Sequence, residues 1–160
     1  MERRAFSLAL FTTQRKTDLI GMTQAHRREG RIKVVQSKTK RSLWIPEHPT
    51  LTRELAEDPP IHLALLTTGK GKAFDATYFG AWFARAIEAA GLPNECVLHG
   101  LRKSGCVMLA EAGCTTEEIK AISGHASDAM VAHYTKAAEQ VRLADSAMGR
   151  FGTKVDHTSG

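Results

Sequence analysis

The stretch 122-ISGHASDAMVAHYTK-136 sets Gly124-His125 nine residues ahead of Tyr134, across a helix end and the start of the next helix. A glycine after a helical run stops the helix and frees the histidine behind it from helical packing, so that the imidazole can face a neighbouring cleft. Ser127 can cap the following helix, which carries Met130 and Val131 as packing residues and ends at Tyr134. Taken alone, His125 is as readily a C-cap histidine bonded to carbonyls, and Tyr134 a residue at the edge of a core. Their meaning depends on which other polar residues share the site.

Upstream, 99-HGLR-102 opens a helix expected over His99 to Ala112 and closed by Gly113. The i, i+3 spacing puts His99 and Arg102 on one face at the positive end of the helix, where an anion is favoured. A solvated surface pair is the commoner use of such a spacing. Thr115 and Glu118 form a capping box for the helix that runs into Ser123-Gly124.

At the other end, Ala5, Leu8, Ala9 and Phe11 or Thr12 recur at helical spacing over Arg3 to Thr13. Thr17 can cap a short helix from Asp18 to Thr23, which leaves Arg15 at the junction. RIKVVQ (31–36) and SLWIP (42–46) are β-prone and flank SKTKR, so an antiparallel hairpin with a basic turn is expected. Residues 50–58 read as a short helix, 61–67 as an apolar run of either type, and TTGKGKAFD as a basic loop. Asp75 caps a long helix closed by Gly91, whose Tyr78, Phe79, Trp82, Phe83 and Ile87 form a broad apolar face, read as core and not as a base-stacking platform. A helix over Lys136 to Met148 and a loose tail over 149–160 complete the expectation. The fold class is mainly α with a small antiparallel hairpin or sheet, that is, α+β.

The chain has 160 residues, enough for one domain whose core needs no staples. Three cysteines, an odd set, read as reduced thiols in a cytoplasmic protein, and no cysteine–histidine spacing suits zinc. No apolar run approaches a membrane span. Charge is uneven: residues 1–41 hold 11 Lys and Arg against 3 Asp and Glu, a balance of 11 − 3 = +8, whereas the remainder is 11 − 14 = −3. A localised positive region suits a polyanion such as nucleic acid, though a solvated basic surface has the same composition.

The order Arg15, a lysine at 38 or 40, His99-x-x-Arg102, Gly124-His125 and Tyr134 resembles the tyrosine recombinases, the phage-integrase family, over about residues 3 to 140. TTQRKTDL (12–19) is similar to the family's Thr-Gly-x-Arg segment with Gln14 in place of glycine. VVQSKTKRSLWIP resembles the family's lysine-bearing hairpin and favours Lys38 over Lys40. Ser123-Gly124-His125 stands for the usual Leu-Gly-His, a departure expected to weaken packing under the loop more than chemistry.

The resemblance implies a catalytic domain over 1–148 that breaks and rejoins DNA through a 3′-phosphotyrosine, with neither metal nor ATP, and belongs to a longer protein with a further N-terminal DNA-binding domain. Arg15, Arg102 and His125 would stabilise charge on the phosphate oxygens, since guanidinium stays charged and offers paired donors. Tyr134 would be the nucleophile, His99 its base and Lys38 the acid for the leaving 5′-oxygen. Arg27, Arg28, Arg31, Lys33, Lys40 and Arg41 would follow backbone phosphates of double-stranded DNA without reading bases. Family members form tetramers on DNA by passing a C-terminal segment to a neighbour, here 136–148, and the isolated chain is expected to be a monomer. Two other readings share these residues: a type IB topoisomerase-like nickase, and a decayed integrase remnant that binds DNA without cutting it.

Overall fold

A computed structural model describes residues 1–93 and 95–156, with side chains to Phe151. Helix α1 (Glu2–Thr12) buries Ala5, Leu8, Ala9 and Thr12, the face set by the three-to-four spacing. It ends at Thr13, which adopts a left-handed conformation at φ 52°. A β-branched residue there is strained by about 1–3 kcal/mol, which the surrounding packing must offset. Helix α2 (Lys16–Ile20) begins earlier than expected: Arg15 occupies its N-cap, and Thr17 bonds the Ser37 hydroxyl at 2.9 Å instead of capping.

A 3-10 turn (Gln24–His26) leads into a three-stranded antiparallel sheet, β1 (Arg27–Arg28), β2 (Arg31–Val35) and β3 (Ser42–Pro46), in that order. The hairpin register pairs Lys33 with Trp44 and Val35 with Ser42, so the turn holds 36–41, one residue more than the expected SKTKR. The two-residue β1 carries too few side chains to show a period and was not legible in the sequence. Ile32, Val34 and Ile45 face the core, and Lys33 lies 5.7 Å over the half-exposed Trp44 ring on the other face.

Helix α3 (Pro49–Glu57) is capped by the His48 side chain, which accepts from the Thr50 N–H. The 61–67 run is neither helix nor strand but a series of bends, with isolated bridges Thr23 to Ala64 and Thr67 to Ala73. Its Leu65 and Leu66 are buried, whereas Ile61 and Leu63 are exposed. Asp75 caps α4 (Ala76–Ala89) by accepting from the Thr77 and Tyr78 N–H groups, both at 2.9 Å. Phe79 and Phe83 are core, Trp82 and Ile87 pack at its edge, and Tyr78 points outward.

Helices α5 (Leu98–Glu111) and α6 (Thr116–Ser123) follow, the second opened by the expected Thr115–Glu118 capping box. Gly105 of α5 lies so close to α1 that a Cβ there would sit 2.4 Å from the Leu10 carbonyl oxygen. That close approach brings Thr13, at the end of α1, against Arg102. Helix α7 then runs unbroken over Asp128–Asp156. The separate helix over 136–148 and the loose tail from 149 were therefore wrong as far as Asp156; residues 157–160 lie outside the described ones. No residue between Tyr134 and Met148 is proline, and alanine, glutamate, glutamine, lysine and arginine sustain the helix.

The main core joins α1 to α4 and the sheet, and a smaller cluster of Cys106, Ala110, Ile119 and Val131 joins α5, α6 and α7. Each large aliphatic side chain so buried contributes about 1.5–3 kcal/mol. The polar site lies where the two meet. Cys106 is buried, Cys114 half-buried and Cys96 exposed, all as free thiols. Among the described residues no helix is long and apolar enough to cross a membrane.

Candidate active site

Arg102 is the centre of the site. It is buried, donates through Nη1 to the Thr13 carbonyl, and donates through Nη2 to His125 Nε2 at 2.9 Å. Burial and the nearby positive charge of Arg15 lower its pKa, but a guanidinium begins high enough to remain charged. Arg15 at the α2 N-cap contributes an Nη1 that is buried without a hydrogen-bond partner. A buried donor left open beside a second guanidinium fits an anion that would arrive from outside.

His125, 2% exposed, has its pKa lowered to about 4, by burial first and then by the charges of Arg102, Arg15 and His99. It is neutral at pH 7. Tyr134 on α7 is half-buried, with its ring 5.9 Å from that of His125 and 5.6 Å from Lys103 Nζ. His99, exposed on the first turn of α5, is near enough to act electrostatically on His125. Arg15, His99, Arg102, His125 and Tyr134 are thus brought together from α2, α5, the α6–α7 loop and α7.

Lys38 is not joined to them. It stands exposed on the hairpin turn, and no hydrogen bond or ion pair links it to the cluster. Lys40 is exposed on the same turn, at φ 57°. The expected phosphate-following residues also divide. Arg28, Arg31 and Lys33 stand on the sheet, Arg28 paired with Glu29 at the surface. Arg27 is instead held by Glu47 through two bonds of 2.7 and 2.9 Å, which raise its pKa and neutralise its charge. Arg41, though exposed, donates through Nη1 to the His125 carbonyl at 2.8 Å. The sequence shows six similar cations; only folding reveals that Arg27 and Arg41 hydrogen-bond to groups far away along the chain.

Several site residues were missed in the sequence. Gln36, fully buried, donates to Gln14 Oε1 at 2.7 Å and to the Ser123 carbonyl at 3.0 Å. Gln14 donates to the Thr12 and Ile122 carbonyls, both at 2.8 Å. The glutamine in place of the expected glycine therefore ties the α1–α2 junction to the end of α6. Asp18 accepts from the Ser37 N–H at 2.7 Å and anchors the start of the turn to α2. Ser123 corrects the expectation about packing: it is buried, and its hydroxyl lies 2.7 Å from His125 Nδ1. Gln14 lies in the α1–α2 junction and Gln36 just past β2, where an amide looks like an ordinary loop residue, and their partners lie up to 108 positions away.

The fold is that of DNA integrases. A lambda integrase dimer bound to a COC′ core site superposes with a TM-score of 0.71 at 25% identity, over 83% of this chain and 41% of that one. A lambda integrase tetramer bound to a Holliday junction gives 0.72 at 24%, over 84% and 42%. The integrase of Mycobacterium phage L5 is 33% identical over 95 residues, 59% of this chain and 24% of its own. The phage integrase family model matches residues 1–141, and the chain belongs to that family. It spans about a quarter of the L5 protein and about two-fifths of the lambda chains.

Proposed function

We propose that residues 1–148 are the catalytic domain of a site-specific DNA recombinase, a tyrosine recombinase that cleaves and rejoins strands through a 3′-phosphotyrosine. The observation that carries this reading is the convergence of Arg15, Arg102 and His125 beside the Tyr134 ring. Family membership supports it.

In this reading a phosphate enters between Arg15 and Arg102 and takes up the open Nη1 donor. The phenol oxygen of Tyr134 attacks phosphorus as its proton passes to His99. Charge that grows on the nonbridging oxygens is met by the two guanidinium groups and the His125 imidazole, groups already fixed in place before reaction. The departing 5′-oxygen takes a proton from Lys38, which reaches it when the hairpin turn closes on DNA. The phosphotyrosine conserves the bond, so that a 5′-hydroxyl can displace Tyr134 and reseal the strand.

Arg28, Arg31, Lys33 and Lys40 follow the DNA backbone, and binding by this chain alone is weak, salt-dependent and poorly selective. It acts in the cytoplasm beside the nucleoid, as an oligomer on DNA and a monomer when free. The distal part of α7, with exposed Val141, Leu143 and Met148, is the segment handed to a neighbour.

A DNA duplex nicked just beyond the cleavage position traps the reaction, because the short leaving strand diffuses away. The expected result is a covalent protein–DNA adduct that Tyr134→Phe abolishes. Binding without an adduct would leave a non-cutting remnant; relaxation of a supercoiled plasmid without exchange between two sites would identify a nickase.

A further inference from the structure

Arg102 fixes more about His125 than its position. A guanidinium has no acceptor, so Nε2 must accept the 2.9 Å bond from Nη2 and carries no proton. The neutral ring therefore holds its proton on Nδ1 and donates it to Ser123 Oγ at 2.7 Å. This is the tautomer a phosphate cannot use, since a phosphate oxygen beside Nε2 needs an N–H there.

We propose that Ser123 is a positioning residue that lets His125 exchange tautomers without losing its partner at Nδ1. The inference rests on the recombinase reading for its purpose but on geometry for its substance. A hydroxyl both donates and accepts. In the empty site Ser123 Oγ accepts from Nδ1–H. When a phosphate takes Arg102 Nη2 away from Nε2, the imidazole takes a proton from solvent water at Nε2 and returns its Nδ1 proton to solvent water, with no net change in charge. The Ser123 hydroxyl then turns to donate to Nδ1. An aliphatic side chain at 123 would leave one ring nitrogen unsatisfied in a buried site in both states, at about 1–3 kcal/mol.

The surroundings suit such a rotor. Ser123 is fully buried, and its carbonyl is held by Gln36 Nε2. Arg41 holds the His125 carbonyl from the opposite side. The ring thus has fixed backbone anchors, and the hydrogen positions are what remain to change. The charged and titratable groups facing it are Arg102, Arg15 and His99, with Tyr134 and Cys106 at the edges.

The test reads the nitrogen shifts of His125 in labelled protein, assigned with His125→Gln, while inorganic vanadate is added as a phosphoryl mimic. Wild type is expected to hold the proton on Nδ1 without vanadate and on Nε2 with it. Ser123→Ala should require at least about tenfold more vanadate for that change and slow adduct formation by about tenfold or more, the fold-change expected when one buried hydrogen-bond partner is lost. Ser123→Thr, larger but still a hydroxyl, should recover both; a packing role would make threonine the worse variant at this buried position. Should the alanine variant not fold, Ser123→Cys keeps the volume with weak hydrogen bonding and carries the same expectation. An alanine variant that changes tautomer at the wild-type vanadate concentration overturns the inference. So does a wild type that forms the DNA adduct yet never moves its proton. A wild type that moves the proton but forms no adduct overturns the recombinase reading and leaves the role of Ser123 standing.

Discussion

Replacing Gly124 by alanine tests whether the loop that carries His125 is held by shape. Gly124 has φ +67°, and a Cβ there would meet Gln36 Nε2 at 2.3 Å and its Cδ and Oε1 at 2.6 Å. The left-handed backbone alone costs an alanine about 1–2 kcal/mol. The overlap forces a fully buried amide away from Gln14 Oε1 and the Ser123 carbonyl, and a buried polar group left without a partner costs about 1–3 kcal/mol. The sum is about 2–5 kcal/mol, or a fall in Tm of roughly 5–15 °C for a domain of this size. Gly113→Ala is the control, because it shares the positive φ, +89°, but would meet nothing within 4 Å; it should lose only about 1–2 kcal/mol. Denaturation followed by circular dichroism compares the two, and Gly124→Ala in a Gln36→Ala background should show coupling above about 1 kcal/mol. Equal losses for the two glycines, or additivity with Gln36→Ala, would refute the shape argument.

Three further outcomes follow from other parts of the structure. Because His125 titrates near 4 when folded and near 6.5 when unfolded, the unfolded chain binds the extra proton between those values. Stability is therefore complete above about pH 6.5 and declines toward pH 4, by roughly 3 kcal/mol in total; denaturant titrations across that range should show it, and His125→Gln should flatten it. Gly105→Ala pushes on the Leu10 carbonyl and on Thr13 Cγ2, 2.6 Å from the added carbon. Such overpacking costs about 1–3 kcal/mol, and it shifts the Thr13 carbonyl that Arg102 holds, so adduct formation should fall more than for the exposed Met108→Ala. In DNA binding, Arg31→Ala should reduce the slope of log K against log salt by about 1, whereas Arg27→Ala, already neutralised by Glu47, should change it less; equal changes would show that the ion pair opens on DNA.

The helices with strong local signals were legible in the sequence. Asp75 and Thr115 announced their helices through capping chemistry, and the β-prone runs RIKVVQ and SLWIP on either side of SKTKR announced the hairpin, though not its register. The α2 start was not legible, because Thr17 is as good a cap by composition as any, and its hydroxyl was drawn off by Ser37, a contact made only after the hairpin folds. The length of α7 was missed because one helix was expected to end at Tyr134 and another to begin at Lys136, although helix propensity alone carries the backbone on. In the site, the order of arginine, histidine and tyrosine was visible because those residue types are rare in such an order. The glutamine network and the bond from Arg41 to the His125 carbonyl were not, since they depend on pairs 22 to 108 positions apart whose members look ordinary in their own segments.

Tyr134 shares one unbroken helix with the distal part of α7, so the two behave as arms of a single lever. Buried Val131 and Thr135 form its pivot. The long arm, from Tyr134 to Asp156, measures about 33 Å at 1.5 Å per residue. A tilt of roughly 5° moves its tip by about 3 Å, yet shifts the phenol by only a fraction of an ångström, the scale on which an attacking oxygen comes into or out of line. Whatever grips that distant tip sets the aim of the tyrosine.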